Sequence, residues 1–152
     1  MTLPALWQLA QVNLARLLAP LESTLLQGFV ARLAEINALA DRSPGFVWRL
    51  QNESGSAAYL RPYDDDRILF NLSVWQTPEQ LKAYVYRSAH VELVRQRKSW
   101  FSHFGVPYVA LWWVPAGHRP TIEEAKERLV RLQEIGESSE AFGFNRVFPA
   151  PI

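Results

Sequence analysis

Strand-like and helix-like segments alternate along this chain in an order that few folds accept. LWQLAQVNLAR (6–16) reads as a strand rich in apolar residues. Thr24 then opens a helix through a capping box with Gln27, three residues on. In that helix Leu25, Leu26, Phe29, Leu33, Ile36 and Ala40 fall on one side at the helical period. Ser43-Pro44-Gly45 stops it, and FVWRLQ (46–51) is a second strand. NESGSAAYLRPYDDD (52–66) is a polar turn region, and RILFNLSVW (67–75) is the third strand. Thr77-Pro78-Glu79-Gln80 supplies a cap, a proline at the first helical position and a capping-box partner, so a helix runs to about Arg87. Ser88 caps a second segment or marks a bend, and the helical reading continues to Phe104. YVALWWVP (108–115) is the fourth strand. After the AGHRP loop, Thr121-Ile122-Glu123-Glu124 caps a last helix to about Ile135, and FGFNRVF (142–148) reads as an edge strand.

Strand, helix, strand, strand, helix, strand is the order of a ferredoxin-like split βαβ domain, an α+β fold with a four-stranded antiparallel sheet. Here a C-terminal helix and a short tail strand are appended. Neither face of the strands looks wet. In 67–75 the even positions Ile68, Phe70, Leu72 and Val74 are apolar, while the odd positions mix Leu69 and Trp75 with Asn71 and Ser73. A single sheet with helices on one face normally leaves the other to solvent. A second sheet should therefore cover it, most economically in a homodimer packed sheet to sheet.

At 152 residues the chain makes one domain, 1–152, with room for a full core. Sixteen basic residues against fifteen acidic leave no field that argues for nucleic acid or an anionic membrane surface. No apolar run reaches the roughly 18 residues needed to span a bilayer. The start, MTLPALWQLAQVNLARLL, lacks a charged leader and cleavage site, so the cytoplasm is the expected location. With no cysteine there is neither a disulfide framework nor a thiol nucleophile.

The stretch after the second helix start carries the chemistry. At 100° per residue, Leu93, Val94, Arg97, Trp100, Phe101 and Phe104 lie within about 80° of His90. An apolar stripe with His90 and Arg97 at its centre needs polar company, because a buried unpaired guanidinium is prohibitively costly. A hydrogen-bonded core histidine and a rim-paired arginine would satisfy that; so would a polar-floored pocket that also holds Asn71 and Ser73. Trp48, Trp75, Trp100, Trp112 and Trp113 form either an aromatic box for a planar ligand or a large aromatic core. His118 is either a lid residue or part of a structural loop. Asp64-Asp65-Asp66 reads as a solvated turn and no metal site is expected. There is no glycine-rich phosphate loop, no GxSxG and no HExxH.

SVWQTPEQLKAYVYRSAHVE resembles the third strand, tryptophan and His-bearing helix of antibiotic-biosynthesis-monooxygenase-like proteins, which belong to the dimeric α+β barrel superfamily. QVNLARLLAPL, PGFVWRLQ, SVW, YRSAHVELVRQRKSWF and WWVPAGHRPT look more closely like a bacterial family known as domain of unknown function 3291. The superfamily includes cofactor-independent monooxygenases, haem-degrading monooxygenases, haem-containing aldoxime dehydratases and simple binding proteins. The resemblance to the haem-degrading branch implies that Asn13, Trp75 and His90 would surround a porphyrin. Two departures weigh against that: the Trp75–His90 separation is longer, and Arg97 and the AGHRP loop are extra.

Three readings follow. In the first, the chain is an oxygenase- or isomerase/cyclase-type enzyme on a planar aromatic or polyketide-like molecule, without a cofactor. His90 and Arg97 are then the catalytic pair, the imidazole as acid or base and the guanidinium as anion stabiliser. Asn13, Trp48, Asn71, Ser73, Trp75, Trp113 and His118 bind the substrate. In the second, haem is bound with His90 as axial ligand and Arg97 on a propionate. In the third, the chain is a non-catalytic dimeric binding protein.

Overall fold

The computed structural model describes residues 6–51, 62–63, 65, 67–87, 100–102 and 108–151. Its first strand, β1 (Trp7–Leu17), is the centre of an antiparallel sheet. β3 (Ile68–Trp75) flanks β1 on one side, and β2 (Phe46–Arg49) pairs β3 beyond it. On the other side β5 (Val109–Pro115) runs along residues 7–13 of β1, and the short β4 (Phe101–Ser102) continues that edge at Arg16 and Leu17. The order β2-β3-β1-β5 is the expected ferredoxin-like one, with β4 as a fifth, two-residue strand. β4 corrects the helical reading at Phe101 and Ser102, which complete the pairing of β1 where β5 ends.

α1 (Gln27–Arg42) and α2 (Pro78–Arg87) follow the first and third strands, and α3 (Ile122–Ile135) follows β5. Of the three threonine caps two hold, and the Ser88 reading lies outside the described residues. The Gln80 amide donates to Thr77 Oγ1 at 3.2 Å, and the Glu124 amide donates to Thr121 Oγ1 at 3.1 Å. The box at Thr24 does not form. The chain enters α1 through a 3₁₀ turn, Thr24–Leu26, whose amides are met by backbone: Leu26 N–H donates to Ser23 O and Gln27 N–H to Thr24 O. Gly45 turns the chain between α1 and β2 at φ +84°, and its carbonyl accepts from the Gln76 amide at 2.7 Å.

Opposed residues on antiparallel strands share a face, so the register sorts the side chains. Ala10, Val12 and Leu14 on β1 join Phe70, Leu72 and Val74 on β3, and Ala110, Trp112 and Val114 on β5. All of these are buried, and Ala125, Leu129 and Leu132 of α3 pack on them. The cover that the sequence assigned to a second copy is thus supplied by the chain's own last helix. Burial of this face gives no argument for a sheet-to-sheet dimer. The expected tail strand is also reduced. Phe142 makes one two-hydrogen-bond bridge to Leu111, and the tail then turns so that Phe144, Val147 and Phe148 pack around Trp113 and Phe142.

Candidate functional site: a polar-floored cavity

The other sheet face reads, rung by rung across β1 and β3, Leu9–Trp75, Gln11–Ser73, Asn13–Asn71, Ala15–Leu69. Two polar rungs therefore lie between apolar ones. The apolar ends are sealed. Leu9, Trp75, Leu81, Leu111 and Phe142 cluster at one end, and Leu17, Leu21, Leu26, Phe29 and Trp100 at the other. Between the two clusters, beneath α1 and α2, lies a cavity of about 560 Å³. Its described lining includes Gln11, Asn13, Asn71 and Ser73 from the floor, Phe29, Leu33, Ile36 and Asn37 from α1, Tyr84 and Val85 from α2, and Arg49 and Phe46 from β2. A volume of that size with apolar walls and a few convergent polar groups is what small-molecule sites look like.

The floor is wired together. Gln11 Nε2 donates to Asn71 Oδ1 at 2.6 Å and to Ser73 Oγ at 2.8 Å, and Trp75 Nε1 donates to Ser73 Oγ at 2.9 Å. Gln11 and Ser73 are 5% and 6% exposed, so burying them without these bonds would cost several kcal/mol on the order of unpaired amide and hydroxyl transfer. An indole N–H is a donor only, which fixes Ser73 Oγ as acceptor. At the Trp75 end of this floor Tyr84 stacks on Trp75, centroids 5.2 Å apart and planes 25° apart, while Phe46 meets Trp75 edge-on at 5.5 Å. Tyr84 Oη donates to the Ile36 carbonyl at a long 3.4 Å. Burial pushes the Tyr84 phenol up to about 12; the neighbouring Arg49 charge pulls it down less than burial raises it.

One charged side chain stands among the described lining residues, Arg49. Its Nε donates to Asp41 Oδ1 at 2.8 Å and its Nη2 to Asp41 Oδ2 at 3.3 Å, which fixes the guanidinium plane from the end of α1. Arg49 sits opposite Ser73 in the β2–β3 register, so it extends the polar rung Ser73–Gln11 by one strand.

The residues expected at a site separate as follows. Asn13, Asn71, Ser73 and Trp75 line the cavity together. Trp48 does not: it pairs with Val74 and packs into the α3-side core. Trp113 shares the cavity's face but lies beyond the apolar seal, with Nε1 donating to the Phe148 carbonyl at 2.9 Å. His118 is on the α3 side, its Nε2 within 2.7 Å of Glu124 Oε1, whose other oxygen accepts from Trp112 Nε1 at 2.9 Å. It is held to a helix start, not poised over the cavity. The five-tryptophan box therefore does not exist; Trp48 and Trp112 belong to one core, Trp75 and Trp113 to another, and Trp100 packs on Phe29. His90 and Arg97 lie outside the described residues, as do Asp64 and Asp66.

Sequence reading passed over Gln11, Arg49 and Tyr84. Gln11 was visible in principle, since alternation puts it with Leu9 and Asn13. Tyr84 falls three residues after Leu81, one helical turn on. Arg49 needed the register of β2 on β3, which a bulge between Phe46 and Trp48 displaces.

Haem can be tested against these residues. Trp75 is 1% exposed, stacked by Tyr84, edged by Phe46 and bonded through its N–H. It has no open ring face for a porphyrin; of the other two residues that the resemblance implied, Asn13 lines the cavity and His90 lies outside the described residues. Among the described residues no group of His, Asp and Glu is arranged to hold a metal ion, and no helix is long and apolar enough to cross a membrane.

Comparison with solved structures gives distant likenesses. PA3566 from Pseudomonas aeruginosa superposes with a TM-score of 0.50 at 11% identity, covering 77% of this chain and 100% of that one. The chain is also similar to SnoaB, a cofactor-independent oxygenase from Streptomyces nogalater, with TM-score 0.45, 17% identity, and 77% and 97% of the two chains covered. A third likeness is NE2512, a protein of unknown function from Nitrosomonas europaea, with TM-score 0.47, 10% identity, and 76% and 95% covered. At these identities only the fold is shared. No curated protein matches the chain. The model of one family matches residues 8–152, essentially the whole domain, and the chain therefore belongs to the domain of unknown function family DUF3291.

Proposed function

We propose that the cavity binds a small planar molecule, and that the chain is an oxygenase- or isomerase/cyclase-type enzyme acting on it. The observation that carries this reading is the polar floor, Gln11, Asn13, Asn71 and Ser73, set between two apolar clusters at the base of a 560 Å³ cavity. A stable core has no use for two polar rungs in the middle of an otherwise apolar sheet face; a ligand with oxygens at one edge of a ring has. Tyr84, Phe29 and Phe46 supply the apolar walls, and Trp75 backs Tyr84 instead of stacking on the ligand itself.

The chemical part of the proposal comes from the sequence. His90 would take a proton from an acidic C–H or O–H, and Arg97 would hold the resulting enolate or phenolate. Reprotonation at another carbon gives an isomerase. Attack of a carbanion on dioxygen gives a hydroperoxide, which loses water to leave a carbonyl, so no further oxidant is needed.

The test is oxygen consumption and product analysis with a panel of hydroquinones, phenols and planar acids, comparing the natural protein with His90→Ala and Arg97→Ala. The proposal requires turnover that both substitutions abolish with little change in unfolding midpoint. Stability losses of about 2–4 kcal/mol in both variants, without turnover in the natural protein, would instead assign the pair to a buried polar network. A hemin titration belongs beside it: a stoichiometric Soret band lost in His90→Ala would overturn the cofactor-free reading.

A further inference from the structure

We infer that Ser73 offers the cavity a one-way hydrogen bond: its hydroxyl donates to a ligand atom that only accepts, a carbonyl oxygen on the edge of a planar ring. The inference rests on the cavity being a ligand site, as proposed above, and adds what the floor asks of the ligand. A hydroxyl has one hydrogen and two lone pairs. Both lone pairs of Ser73 are occupied, one by Trp75 Nε1 at 2.9 Å and the other by Gln11 Nε2 at 2.8 Å. What remains is the hydrogen. Ser73 lines the cavity, and no acceptor for that hydrogen stands among the described residues.

The neighbours of Ser73 set this polarity. Trp75 Nε1 is a donor and nothing else. Gln11 Nε2 has two hydrogens and spends the second on Asn71 Oδ1 at 2.6 Å, so the amide nitrogen is held toward β3. With that amide reversed, its oxygen would face Ser73; the hydroxyl would then donate to Gln11 and give the ligand nothing. Ser73 is 6% exposed, so a hydrogen left without an acceptor there is costly. A ligand carbonyl removes that cost. A hydrocarbon edge leaves it in place, and a ring N–H adds a second unpaired donor.

The test uses probes that share one planar tricyclic frame: fluorenone carries a carbonyl, carbazole an N–H, and fluorene neither. Equilibrium dialysis against the full chain at mildly alkaline pH reads their affinities. The natural protein should bind fluorenone at least about tenfold more tightly than fluorene or carbazole, the scale of one hydrogen bond made against one left unmade. Ser73→Ala should bring the affinities together, and Ser73→Thr, which keeps the hydroxyl, should keep the preference. Since Ser73→Ala also strips Trp75 of its acceptor, Gln11→Glu serves as a second variant. An ionised carboxylate in place of the Gln11 amide only accepts, so Ser73 would donate to it and turn a lone pair to the cavity. The preference should then pass from fluorenone to carbazole. Equal binding of all the probes by the natural protein, or a preference for carbazole, would overturn this inference and leave the cavity as a ligand site. A fluorenone preference unchanged in Ser73→Ala or in Gln11→Glu would also overturn it. Binding of none of the probes would remove the ligand site itself and the inference with it.

Discussion

Replacing Ser73 by alanine removes the hydroxyl that ties Trp75 to the cavity floor. Ser73 Oγ accepts from Trp75 Nε1 at 2.9 Å and from Gln11 Nε2 at 2.8 Å. Gln11 keeps Asn71 Oδ1 as an alternative partner at 2.6 Å. Trp75 has only one donor, and the residue is 1% exposed beneath Tyr84 and Phe46. Removing the hydroxyl thus leaves one buried N–H without a partner, a cost of about 1–3 kcal/mol, against a negligible loss of packed volume. For a domain of this size about 2 kcal/mol is a fall of roughly 4–8 °C in Tm. Urea and thermal unfolding followed by tryptophan fluorescence measure it, with Ser73→Thr as the control that keeps the hydroxyl. A loss below about 0.5 kcal/mol would refute the reasoning, because it would mean that cavity water reaches the indole and that Trp75 is not sealed.

The two helix starts should respond differently: Thr77→Ala should cost about 1 kcal/mol in urea unfolding and Thr24→Ala close to nothing, since only Thr77 accepts a cap bond. A phenolate absorbance titration of Tyr84→Phe against the natural protein should remove a component near pH 12. Because its folded value is raised above the ordinary 10, the stability it contributes is present below pH 10 and is lost as pH rises through about 12. Gly45→Ala should destabilise by about 1–3 kcal/mol, since φ is +84° and an added Cβ collides with the Gln80 side chain.

The fold was legible because its signals are local. Thr77-Pro78 and Thr121 carry their own start signals, and the alternation of 67–75 was enough to place Phe70, Leu72 and Val74 on one face. What failed depended on distant partners. Thr24 has the composition of a capping residue, yet the preceding turn satisfies the same amides by backbone. The apolar side of the sheet suggested a second sheet, because an amphipathic helix at 122–135 does not say where it docks; α3 packs on that face. The half of the floor formed by Asn71 and Ser73 was readable from parity. Asn13 was named through the resemblance and Gln11 shares its parity; which residue faces which was not readable, because matching Gln11 to Ser73 and Arg49 to Ser73 requires two strand registers. Tryptophans misled for a related reason: aromatic content says that large side chains are buried, not which of two cores receives them.

The most direct test of the central claim is a calorimetric titration of planar phenols and acids into the natural protein, Asn71→Leu and Trp48→Phe. Asn71 stands on the cavity floor, and Trp48 packs in the core on the other side of the sheet. The account predicts saturable one-to-one binding that Asn71→Leu weakens by about tenfold or more and Trp48→Phe leaves intact. Binding that survives Asn71→Leu but is lost in Trp48→Phe, or that ignores both, would place the site elsewhere and contradict it.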